Sequence, residues 1–180
     1  MYPRNQQNAN FGKLKLRIFV IGLSALPGLQ VSSLNAEPLQ ERQAQVAERG
    51  AQVMPFSLPK TQHQFSETPT GGVQRVIARD PGDQAQIVLI RQHLQSLALQ
   101  FSAGDYSGPA SIHGSAMPGL KRLAQAKPSE IKITYQAESV GASLTFSSAK
   151  PDIIAAVHSW FAAQLHDHGH DALHMQHHPQ

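Results

Sequence analysis

The stretch DPGDQAQIVLIRQHLQSLALQFSAGD, residues 80–105, decides how the rest of the chain is read. Asp80 can accept the free amide hydrogens of a first helical turn, and Pro81 gives up no donor that a helix start needs. Ile87, Ile90, Leu94, Leu97 and Phe101 then recur at spacings of three and four. That spacing predicts one amphipathic helix from Gly82 to about Ser102, closed by Gly104 and Asp105. Its apolar stripe has to be covered, and the flanking segments say by what.

Upstream, Thr61–Phe65 and Val73–Ala78 alternate polar and apolar residues, and SETPTGG (66–72) between them supplies a turn. Downstream, the loop 105–120 leads to a short helix over Leu120–Ala126. A second alternating pair follows, 130–138 and 142–148, joined at Gly141. Pro151 and Asp152 open a last helix with Ile154, Val157, Phe161 and Leu165 on one stripe, ending near Gly169. The order is hairpin, helix, loop, hairpin, helix. Neither a lone hairpin nor a lone helix is stable in water, so the two units must share a core. The expected fold is α+β: two hairpin-plus-helix (ββα) units sharing a four-stranded antiparallel sheet with helices on one face. QIVLIRQHL (86–94) lies on DIIAAVHSW (152–160) with one gap, which makes His93 and His158 coincide and points to a weak internal duplication.

The chain has 180 residues, 41% hydrophobic and 15% charged, with no Cys, which suits one modest domain and excludes a disulfide scaffold. Lys13, Lys15 and Arg17 precede an apolar run from Ile18 to Leu29, and small residues follow at Ser32, Ser33 and Ala36. This is a secretory signal layout over residues 1–36, too short and interrupted to span a membrane; the competing reading is an uncleaved N-terminal anchor. Removing it takes four cations away and turns the formal charge from +3 to −1. The counterion-release contribution on which nucleic-acid binders depend is then largely missing, so nucleic acid is dropped as a partner. Export places the domain in the periplasm or outside the cell, with no membrane span after signal removal. Residues 37–52, rich in Gln, Glu and Arg, read as a polar tether or a marginal helix, 53–169 as the folded domain and 170–180 as a His-rich tail.

Ten His is a high count for this length, and six of them fall in LHDHGHDALHMQHHP (165–179). Imidazole is the commonest protein ligand for Zn, Cu and Ni, and such a tract supplies several neutral nitrogens. His170 and His174 would share a helical face, and His166, His168 and His170 an extended one, while Asp167, Asp171 and Met175 add other donors. The bland readings are a solvated tail or a purification remnant. The remaining four lie inside expected structure: His63, His93, His113 and His158. If the two units pack as a pair, His93 and His158 approach each other, and the loop brings His113 with Asp105 and Met117. Otherwise each is an isolated His bonded to a backbone carbonyl. The chain has no G-x-S-x-G, no H-E-x-x-H and no phosphate-cradling glycine loop.

VAERGAQVMPFSL, TQHQF, GGVQRVIARDP, QIVLIRQHL, FSAGDYSGPASIHGSAMPGL and HSWFAAQLHDHG, spanning Val46 to Gly169, resemble a small family of exported bacterial proteins of unestablished function. Members of that family are similar to proteins often labelled aspartate carbamoyltransferase. The Ser-x-Arg-Thr phosphate loop of a true carbamoyltransferase does not occur here. The resemblance implies that His63, His93, His113, Met117, His158, His166 and His168 belong to the family pattern, with the far tail variable. It implies no mechanism.

The expectation is therefore a periplasmic transition-metal-binding or metal-handling protein, for Cu, Ni or Zn. His93, His113 and His158 would form a core site helped by His63, Asp105 or Met117, with His166, His168 and His170 capturing metal loosely. Met117 and Met175 tilt the choice toward Cu(I). Two other classes stay open. One is a small enzyme using His113 with Asp105 as an acid/base pair on a small molecule, and the other is a non-catalytic interaction module.

Overall fold

Inward-facing apolar residues on two hairpins and on two long helices meet in one core, and strand register shows how. The computed structural model describes residues 38–175; the expected signal segment, His177 and His178 lie outside them. The strands are β1 (Thr61–Thr68), β2 (Gly71–Ala78), β3 (Lys132–Glu138), β4 (Gly141–Ser147) and β5 (Ala172–His174). They form one sheet in the order β3-β4-β2-β1-β5, antiparallel except that β5 runs parallel to β1. The helices are α1 (Leu39–Val53), α2 (Gln84–Ser102), α3 (Ser107–His113), α4 (Leu120–Ala124) and α5 (Pro151–His168).

The fold is thus α+β, as expected, with a mixed five-stranded sheet in place of a four-stranded antiparallel one. The extra strand comes from the His-rich segment, where Ala172 is buried and the Met175 amide donates to the Phe65 carbonyl at 2.8 Å. The segment expected to be a tether is α1. Its Val46 is fully buried, and the helix rests on α3 and α5. Within 105–120, read as loop, Ser107–His113 is helical.

The two hairpins share one register. His63 opposite Val76 in the first hairpin corresponds to Ile133 opposite Phe146 in the second, a shift of 70 positions (63 to 133, 76 to 146). At the β2–β4 junction Gln74 faces Leu144, the same shift, so this pair sits where a local twofold axis would pass. Each long helix lies over the other unit's hairpin, α2 on β4 and β3, α5 on β2 and β1. The match of His93 with His158 is a shift of 65 (158 − 93), out of phase with the strands.

One sheet face carries His63, Phe65, Gln74, Val76, Ala142, Leu144 and Phe146, all buried. Against it α2 sets Ile87, Ile90, Leu94, Leu97 and Phe101, and α5 sets Ile153, Val157, Trp160 and Phe161. Fully burying each large apolar side chain contributes about 1.5–3 kcal/mol. The buried stripe of α5 runs through Ile153, Trp160 and Gln164, rotated from the expected Ile154 and Leu165, which are only partly covered. Asp80 bonds the Gly82 amide at 2.8 Å in a turn, and the acid that caps α2 is Asp83, accepting from the Gln86 amide at 3.2 Å. Gly119 (φ +76°) lets the chain press on α5: a Cβ there would stand 2.1 Å from the Ala156 carbonyl oxygen.

Candidate functional site

Four elements deliver one imidazole each to a single cavity. His63 points inward from β1, His93 lies on α2 beside buried Leu94, His113 is the last residue of α3, and His168 is the last residue of α5. All four line a cavity of about 40 Å³, together with Met54, Gln74, Trp160 and Gln164. The His63 and His168 rings stack with centroids 5.1 Å apart and planes 7° from parallel, and the His113 ring meets His168 edge-on at 5.0 Å. Phe56 walls the group from α1's side of the sheet, 5.6 Å from His93 and 6.0 Å from His63.

His113 is held from behind. Its Nδ1–H donates to Asp167 Oδ2 at 2.9 Å, so the tautomer leaves Nε2 with its lone pair. Arg42 of α1 grips the same carboxylate with two bonds, Nε to Oδ1 at 2.8 Å and Nη2 to Oδ2 at 2.7 Å. Arg42 Nη2 also donates to the His113 carbonyl at 2.8 Å, and Arg49 Nε to the Ile112 carbonyl at 2.6 Å. These carbonyls end α3 and have no partner within it, so α1 caps the helix that carries His113. On the far side Gly169 (φ +53°) stops α5 directly after His168 and turns the chain toward β5.

The electrostatics keep the imidazoles uncharged. Burial, then the charges His93 and His113 would carry, pushes His63 down to about 4. Burial likewise holds His168 well below the ordinary value, with His63 and His113 adding to it. Burial lowers His93, and it lowers His113 despite the Asp167 carboxylate, with Arg42 and Arg49 reinforcing the drop. For Asp167, burial acts upward, but the hydrogen bonds from Arg42, His113 and His166 and the Arg42 charge outweigh it and hold the carboxyl at about 2. The result is an ionised carboxylate behind a ring of neutral nitrogen donors.

Around the same cavity Gln74 Oε1, Gln164 Oε1 and Trp160 Nε1 are buried and have no hydrogen-bond partner among the described residues. Leaving such a group unpaired costs about 1–3 kcal/mol each, so a fold that only needed a core would have filled these positions with apolar side chains. Among the described residues, no three His, Asp or Glu side chains already stand in metal-holding geometry. The rings converge without being pre-set around a point.

Other expected members lie elsewhere. His158 Nε2 donates to the carbonyls of Gly71 (2.8 Å) and Thr68 (3.1 Å) at the β1–β2 turn, with Glu67 Oε2 3.6 Å from its Nδ1. It is the isolated, carbonyl-bonded His of the bland reading, and the trio His93, His113 and His158 is replaced by His63, His93, His113 and His168. Asp105 accepts from the Ser107 amide at 2.9 Å, so the carboxylate on His113 is Asp167 instead. Met117 is buried in the apolar core beside Leu120 and does not line the cavity. His166 is largely exposed, 3.4 Å from Asp167, and His170 is exposed beside Asp171 at 3.3 Å. Met54, Gln74, Gln164, Arg42 and Arg49 carried no sequence signal of a role here. Asp167 stood out only as a tail oxygen donor.

No helix of the described residues is long and apolar enough to cross a membrane. Compared with known proteins, the chain matches no family model, no curated protein and no solved structure.

Proposed function

We propose that the protein binds one transition-metal ion, copper, nickel or zinc, in the cavity lined by His63, His93, His113 and His168, and that it works in the periplasm or outside the cell. The observation that carries this reading is the convergence of four uncharged imidazoles from four separate elements on about 40 Å³ of space. Small-molecule sites usually occupy about 300–1,000 Å³, so this space suits an ion with one small ligand and not an organic substrate. The same size argues against an acid/base enzyme built on His113, even though its Asp167 partner would serve one. A His that donates one ring nitrogen to a carboxylate while offering the other is also the usual second layer of a metal site, fixing ring orientation and raising donor strength. Binding would require side-chain torsions to turn the ring nitrogens toward one ion. The exposed His166 and His170 would raise the local metal concentration near His168 without forming a site of fixed geometry. Export rests on residues 1–36, which lie outside the described part.

The test uses the full chain with His170, His174, His177 and His178 changed to Gln, which silences the tail and keeps β5 in place. After equilibrium dialysis against Zn(II), Ni(II) or Cu(II), one ion should be retained per chain. His113→Ala or His168→Ala should then weaken retention about 10–100-fold, and His158→Ala should leave it unchanged. Complete loss of binding on silencing the tail, with no effect of His113→Ala in the native background, would reject the cavity as the site.

A further inference from the structure

Resting on that reading, we infer that the ion the cavity is built for is monovalent copper, with the Met54 thioether as one of its ligands. Met54 directly follows the last residue of α1 and lines the cavity with the four imidazoles. Its backbone is fixed, since its amide donates to the Gly50 carbonyl at 2.8 Å and Pro55 follows. A thioether is a soft donor that selects Cu(I) over the harder divalent ions.

The charge balance points the same way. Among the described residues no carboxylate lines the cavity: its polar lining is imidazole, amide and indole. Asp167 stands behind His113, and its charge is already met by the two-bonded Arg42 guanidinium. An ion entering this space therefore keeps its full charge in a poorly solvated site. The cost of desolvating a charge grows with its square, so a divalent ion pays about four times what a monovalent ion does. Neutral nitrogen and sulfur donors compensate a soft monovalent ion by covalent donation, which a hard dication gains far less from.

The experiment is an anaerobic competition titration of the tail-silenced full chain with bicinchoninate for Cu(I), beside a separate Zn(II) titration with a chromophoric chelator. Met54→Leu keeps volume and apolarity, and Met117→Leu, at a buried Met away from the cavity, controls for the loss of a methionine. Met54→Leu should weaken Cu(I) binding by roughly tenfold or more and leave Zn(II) within about twofold, while Met117→Leu should change neither. An unchanged Cu(I) affinity in Met54→Leu overturns the inference. So does Zn(II) binding that depends on His113 in a protein that does not take up Cu(I), an outcome that leaves the metal reading itself standing. If neither ion binds, both fall together.

Discussion

Arg42 and Asp167 lie 125 positions apart and close on each other with two short bonds. In the sequence Arg42 stands in a run of Gln, Glu and Arg that looks solvated, and nothing in its spacing marks the carboxylate it will meet. Asp167 was visible as a donor beside His168, but its service to His113 depends on α5 ending beside α3, which is a tertiary fact. The four cavity histidines were all legible as candidates by residue type. What is not legible is which of them share a space, and the repeat that aligns His158 with His93 runs five residues out of phase with the strands. Because Asp167 is almost fully covered, removing its partner leaves a carboxylate with one guanidinium too few. Arg42→Ala should lower the unfolding free energy by about 3 kcal/mol at pH 7, and that deficit should shrink on acidification. Asp167's stabilisation is present above its unfolded value of 3.8 and is lost as pH falls toward about 2; without Arg42 the folded carboxyl lies closer to 3.8, so less is lost. Urea titrations at pH 7 and at about pH 2 measure both effects, and an Arg42→Ala protein as stable as the parent at pH 7 would show the pairing to be incidental.

The two hairpins and the two long helices follow from periodicity because each carries a complete apolar face of its own. By contrast, α1 offers a single fully buried large side chain, Val46, and takes its position from Arg42 and Arg49 reaching the end of α3. Likewise β5 is three residues long and is held by its pairing along the edge of β1. Elements held by their neighbours leave little pattern behind. The turn after α3 gives a sharp contrast. Gly114 and Gly119 both have positive φ, at +91° and +76°, yet a Cβ on Gly114 would meet nothing within 4 Å while one on Gly119 would collide with the Ala156 backbone. Gly114→Ala should therefore cost the conformational penalty alone, about 1–3 kcal/mol, because its ψ of 149° puts it in a region nearly confined to glycine. Gly119→Ala should cost distinctly more, since α5 or the turn must shift. Thermal melts of the two variants compare them directly, and equal losses would mean that the turn does not bear on α5 as described.

At the scale of the whole molecule, the cavity makes stability depend on pH. The four imidazoles are held below their ordinary value of 6.5 when folded, His63 down to about 4, and return to it on unfolding. Between those limits the unfolded chain binds more protons, so the metal-free protein should lose stability as pH falls from about 6.5 to about 4. His63→Gln should flatten part of that slope, which denaturant titration across the range would reveal. A flat profile would mean that the rings are solvated. The shared core of the two hairpins and the two long helices makes this arrangement possible, because it fixes β1, α2 and the end of α5 around one space while α1 holds α3 against them. The most direct measurement is a long-range ¹H–¹⁵N correlation spectrum of the histidine side chains during anaerobic Cu(I) addition to the full chain. On this account ring nitrogens of His63, His93, His113 and His168 shift together and saturate at one equivalent, with His158 unmoved. Saturation confined to the tail rings, with the four cavity rings unchanged, would contradict it.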